Sequence, residues 1–195
     1  MAQLSRQPAF LATVLVVPWL TLASPAWLKL SGVPPAWGVL WLLPWALVEG
    51  RFWGAMAGVG LGLLLDSLHP GPVTLVPGFA LLGWWWGRVG RRGRPIQRSF
   101  NLGLLALLGS LALGLSLMLQ WGVLWGVSRR AVTAVAPEVQ PALLATPGWS
   151  WEDLGGAGLH ALLAQTLLTA LLAPMLCSLQ LLFWRQLLAG APPPR

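Results

Sequence analysis

The sequence predicts an all-α integral membrane protein, a bundle of six transmembrane helices, and three observations carry that expectation. Charged residues make up only 9% of the 195, against roughly 25% in soluble domains. Mean hydropathy is +0.71. Six apolar segments follow one another along residues 1–189, and only the short Pro-rich stretch 190–195 lies beyond them.

The first segment, about 8–28, follows Arg6, and its Ala23-Ser24-Pro25-Ala26 resembles a small-residue cleavage site. Pro18 interrupts the run and the apolar residues continue past that site, so an uncleaved anchor is expected. The second segment, about 34–48, is short for a span of about 20 residues. Its Trp37, Trp41 and Trp45 form an i, i+4, i+8 stripe suited to packing or to lipid.

The third segment, 52–68, carries Gly54, Gly58 and Gly62 on one helical row that ends on Asp66. Such a row brings a second helix close where no hydrophobic drive exists between helices. It packs within this chain or forms a partner interface. A carboxylate there is costly in lipid, and at a helix C-terminus it faces the negative end of the dipole. It therefore calls for a compensating donor, expected from an arginine or from backbone N–H groups of Pro70-Gly71-Pro72.

Pro44 and Pro77 fall inside the second and fourth segments (the fourth about 72–89) and are expected to kink or break them. The fifth (about 100–127) and sixth (about 157–184) are long enough to tilt or to protrude into water. Between them, 128–156 reads as an external loop holding Glu138, Glu152 and Asp153, too rich in proline and glycine for a folded domain.

The net charge of +7 would suit nucleic acid, but five of the twelve basic residues, Arg88, Arg91, Arg92, Arg94 and Arg98, cluster beside an apolar segment. Such clusters set topology or touch anionic lipid, and nucleic acid is not expected as a partner. With that loop cytoplasmic, both termini are cytoplasmic. Arg6, Arg51, Arg185 and Arg195 then also fall inside, against Lys29, Arg129 and Arg130 outside. Of the fourteen tryptophans, Trp27, Trp53, Trp84, Trp85, Trp86, Trp121, Trp125 and Trp184 lie near segment ends, where indoles suit the headgroup level.

Chemistry-bearing residues are sparse, so no enzyme, metal or cofactor is expected. One cysteine, Cys177, supplies neither a disulfide framework nor a thiolate site. His69 and His160 lack partners at metal-ligand spacing, and no P-loop is present. Ser67 and His69 flank Asp66, but three near-consecutive residues cannot adopt a triad geometry. An ion carrier would show paired polar sites and internal repeats, and the glycine row of the third segment has no counterpart in the sixth.

The stretch Glu49–Ser67, EGRFWGAMAGVGLGLLLDS, resembles the signature region of MreD, a small bacterial rod-shape-determining membrane protein. In that family a glycine-rich third helix runs into a G-L-x-x-D ending, here Gly62-Leu63-Leu64-Leu65-Asp66 with one extra residue. A short connection, a fourth helix and a basic cytoplasmic turn follow, here up to Arg98. The resemblance implies a non-enzymatic inner-membrane scaffold of cell elongation. It would bind the transmembrane helix of MreC and couple MreB to peptidoglycan synthesis by RodA and a penicillin-binding protein. It also implies similarity to the S-component fold of energy-coupling-factor transporters. The alternative is therefore a vitamin-binding S-component, whose pocket would draw on Asp66, His69, Trp149 and Trp151.

Overall fold

A computed structural model describes residues 13–68, 73–92, 99–133, 156 and 158–189. All regular structure among them is helical, apart from one isolated bridge. Six α-helices follow in order: α1 (Val16–Leu22), α2 (Trp37–Glu49), α3 (Arg51–Asp66), α4 (Val76–Arg92), α5 (Ser99–Thr133) and α6 (Leu159–Ala189). A 3-10 turn, Thr13–Leu15, leads into α1, and a second, Ala26–Leu28, follows it.

The first apolar segment is thus not one helix. Ser24-Pro25 ends α1, since a proline disfavours helical backbone in the residue before it. The chain then reverses at Ser31-Gly32, with φ of 51° and 84°, where Leu30 and Val33 exchange both backbone hydrogen bonds at 3.0 Å. Two positive φ values in succession are the signature of the tight hairpin turn.

The centre of the molecule is α2. Every residue from Trp37 to Ala46 is buried, as expected of a helix apolar on all sides. The helix continues through Pro44, so that proline does not break it. Pro77 also differs from expectation. It occupies the first turn of α4, whose leading N–H groups need no helical partner. A proline the sequence reading passed over, Pro174, is the one inside a long helix, α6.

Gly50, at φ 92°, is the whole connection between α2 and α3, a conformation that glycine alone adopts without strain. α3 and α4 then form a closely packed antiparallel pair, α5 and α6 a second one, and both pairs enclose α2. The helix bounds also differ from the apolar segments. The fourth helix starts at Val76, α5 runs on to Thr133 within the expected loop, and α6 continues past Trp184 to Ala189.

Among the described residues, two helical stretches are long and apolar enough to cross a membrane: Asn101–Leu124, with mean hydropathy 2.3, and Leu159–Trp184, with 1.9. They rise about 36 and 39 Å at 1.5 Å per residue.

Candidate functional site

The glycine row faces α4 of the same chain. A methyl group at Gly54 would collide with the carbonyl of Gly83, and one at Gly58 with the carbonyl of Phe79. At Gly62 it would sit 2.7 Å from the Val76 Cα. The contact is reciprocal: Gly83 meets Gly54, Gly87 meets Gly50, and Gly90 meets the Leu47 carbonyl. Partners descend along α4 as positions climb from α2 into α3, which is an antiparallel register held by backbone touching backbone. The spacing of Gly83, Gly87 and Gly90 acquires its meaning only from this contact with α2 and α3.

Asp66 closes this pair at its far end. Its carboxylate accepts the Leu75 N–H at 2.9 Å and the Thr74 hydroxyl proton. The Thr74 oxygen in turn accepts the Val76 N–H at 3.2 Å. The carboxylate is therefore at the C-terminus of α3 and the N-terminus of α4 together, and the positive end of α4 offsets the negative end of α3. The described donors are Thr74 and Leu75; the 70–72 turn, the source expected from the sequence, lies outside the described residues, as does His69. Arg129 and Arg130 fall on α5 with side chains outside the description.

A third helix joins here. The Gln120 amide of α5 accepts the Thr74 N–H and donates to the Thr74 carbonyl, both at 3.0 Å. One residue before α4 is thus gripped from α3 and α5. Thr74 was missed, although a threonine just ahead of a helix start is a usual capping signal.

A parallel arrangement starts α2. The buried Thr169 hydroxyl of α6 accepts the Ala36 N–H at 2.9 Å and donates to the Gln165 carbonyl at 2.6 Å. Trp37 Nε1 donates to Ser24 Oγ at 3.0 Å, and Trp41 Nε1 to Thr13 Oγ1 at 3.0 Å. The tryptophan stripe therefore faces inward, with Trp41 stacked on Trp45 at 5.4 Å and Trp45 edge-on to Trp184 at 6.2 Å. Trp86 and Trp184 are likewise in the core and not at a segment rim. Trp86 lies against Gly109 of α5 and has no hydrogen-bond partner for its Nε1 among the described residues.

Of the five clustered arginines, Arg88, Arg91 and Arg92 belong to the last turns of α4 and not to a loop. Arg88 lies 5.8 Å over the Trp84 ring. Arg94 and Arg98 lie outside the described residues, as do Glu138, Trp149, Trp151, Glu152 and Asp153. Because Gly87 abuts Gly50 and the Arg51 amide, Arg51 and Arg88 share one end of the bundle. Asp66, Thr74 and Gln120 mark the other. Among the described residues no three of His, Cys, Asp and Glu gather as metal ligands would.

Cys177 is buried in α6, its thiol 3.6 Å from the Leu40 carbonyl, where it packs as a small apolar group. No protein-family model, no curated protein and no solved structure matches the chain.

Proposed function

We propose that this chain is a multi-pass protein of the bacterial inner membrane, with six spans and both termini cytoplasmic, acting as a non-enzymatic scaffold of the MreD kind. In that role it holds the transmembrane helix of MreC, contacts RodA and a penicillin-binding protein, and connects indirectly to MreB. The observation that carries the reading is where the bundle places its polar and apolar groups. Asp66, Gln120 and Thr169 direct their hydrogen bonds to groups of this chain, the first two at the Thr74 end of the bundle and Thr169 in its core. The outer faces are leucine rows: Leu163, Leu167, Leu171, Met175 and Leu179 on α6, and Leu104, Leu108, Leu115 and Leu119 on α5.

A surface of that kind is stable against hydrocarbon and unfavourable against water. The engaged carboxylate argues for a structural bracket over a proton carrier. It weighs equally against a vitamin-binding S-component, whose pocket would need Asp66 free. The shared end for Arg51 and Arg88 supports a cytoplasmic basic side.

Two experiments test the reading. Cysteine placed at position 94 should be protected from membrane-impermeant reagent in intact cells and cysteine at position 148 labelled; the reverse pattern removes the topology. Depletion in the native rod-shaped host should round the cells, and the tagged protein should copurify with the single-span MreC of that host. Unchanged shape with loss of vitamin uptake would instead select the transporter.

A further inference from the structure

We propose that Arg51 and Arg88, with the ring of Trp84, bind the headgroup of an anionic phospholipid on the open flank of the α3–α4 pair. The site rests on the membrane-spanning reading above and requires none of the partners named there.

The glycine contacts fix where the two arginines stand. Gly50 and Gly54 face Gly87 and Gly83, and a Cβ at Gly87 would lie 2.6 Å from the Arg51 amide nitrogen. The residue after each contact glycine is turned by about 100° around its helix. Because α3 and α4 run in opposite directions, these turns lead to the same side of the pair, so Arg51, Trp84 and Arg88 share one flank. α2 closes the other flank, where Leu47 meets Gly90 and Ala46 meets Gly54. Arg51 is exposed and Arg88 half-buried, and the Arg88 guanidinium lies 5.8 Å over the Trp84 ring.

The charge at this flank calls for an anion. Neither guanidinium has an ion pair or hydrogen bond among the described residues, and Glu49, the described carboxylate at this end, is engaged without them. Asp66 lies at the opposite end, bonded to Thr74 and Leu75. Paired guanidinium forks suit the oxygens of a phosphodiester. The neighbours decide between a lipid and a free anion. Along the open side of α4, Leu81 is 66% exposed and Trp84 43% exposed, and Arg88 follows one turn on. Apolar, aromatic and cationic groups thus succeed one another as acyl chain, interface and headgroup do in a leaflet. A free phosphate would gain nothing from Leu81 or from the open part of the indole. With no free carboxylate described here to meet a choline or ethanolamine, the site favours a headgroup of net negative charge.

Native mass spectrometry of the full-length protein, released from bilayers of equal parts phosphatidylglycerol and phosphatidylcholine, tests this. The retained lipid should be phosphatidylglycerol. Arg51→Gln and Arg88→Gln should each weaken its retention roughly fivefold and leave the melting temperature in detergent unchanged. Trp84→Leu should weaken it roughly two- to fivefold and serves if an arginine variant misfolds. Lys29→Gln, an equal loss of charge between α1 and α2, should change nothing, and millimolar inorganic phosphate should not displace the lipid. Equal retention of both lipids, an equal loss from Lys29→Gln, displacement by phosphate, or undiminished retention in the double arginine variant overturns the site while the membrane reading stands. A protein that does not enter bilayers at all removes both.

Discussion

The two antiparallel pairs of this bundle are built on opposite principles. In α3–α4 the helices approach until backbone meets backbone, through Gly54, Gly58 and Gly62 on one side and Gly83 and Gly87 on the other. In α5–α6 a side chain fills the space even at a glycine, Leu162 against Gly114, and backbone is approached only at Gly103, beside the Ala170 carbonyl. The first pair is short and locked by Asp66. The second is long, and its outer rows are leucine. Close approach makes α3–α4 intolerant of added volume, because a carbonyl cannot rotate away as a leucine can. The leucine pair can absorb small changes by rotamer adjustment, so its sequence is less constrained at any one position.

The sharpest test sets two glycines of α3 against each other. Gly58→Leu drives a branched side chain into the Phe79 carbonyl and should cost about 3 kcal/mol or more, at the upper end of overpacking. Gly60, two residues on, has open space around the site of a Cβ. Gly60→Leu should be neutral or slightly stabilising, because leucine favours helix over glycine by up to about 0.8 kcal/mol. Denaturant unfolding in detergent micelles reads both. Equal effects would mean that α3 and α4 do not pack through this row.

The Asp66 bracket should give the next largest effect. Asp66→Ala leaves the Leu75 N–H and the Thr74 hydroxyl without their acceptor, at about 1–3 kcal/mol. Asp66→Asn retains one carboxamide oxygen as acceptor and should lose less than half as much. Should the two variants be equally inactive while equally well folded, the charge itself has a role and a carrier function becomes the better account. The corresponding contact at the other pair is Thr169→Val, which keeps shape but orphans the buried Ala36 N–H. A loss of about 1–2 kcal/mol is expected by the same unfolding measurement.

Much of this was legible in the sequence, and the failures share a cause. The glycine row of α3 and its ending on Asp66 follow from period alone, since i, i+4 positions must share a face. The second to sixth helices follow from the apolar segments, whereas the first segment holds only a seven-residue helix and a 3-10 turn at either side of it among its described residues. What the sequence hides is which neighbour each row meets. Gly83 and Gly87 are meaningful only once α4 is known to lie against α3. Thr169 looks like an ordinary small residue until Ala36, remote in sequence, is placed beside it. Trp184 and Trp86 sit at segment ends and so read as interfacial, but the ring of Trp184 meets Trp45 and that of Trp86 meets Gly109. Position along a helix gives depth, and only tertiary packing gives the side that is covered.

The smallest expected effect is at the outer face of the second pair, and it is informative because it is small. Leu171 of α6 is 74% exposed, whereas Leu162 on the same helix is 7% exposed and packs on Gly114. Leu162→Ala opens a cavity between the helices and should cost about 2–5 kcal/mol. Leu171→Ala removes methyl groups that are mostly exposed on the outer face of α6. On the proposed membrane reading those groups would contact acyl chains both before and after the helices separate, and lipid tails are as apolar as leucine. The change should therefore stay within about 0.5 kcal/mol. A large loss at Leu171 in the isolated protein would place a self-association surface on α6. The leucine row would then be an interface between copies and not a lipid-facing one, and the contrast drawn between the two pairs would have to be redrawn around that contact.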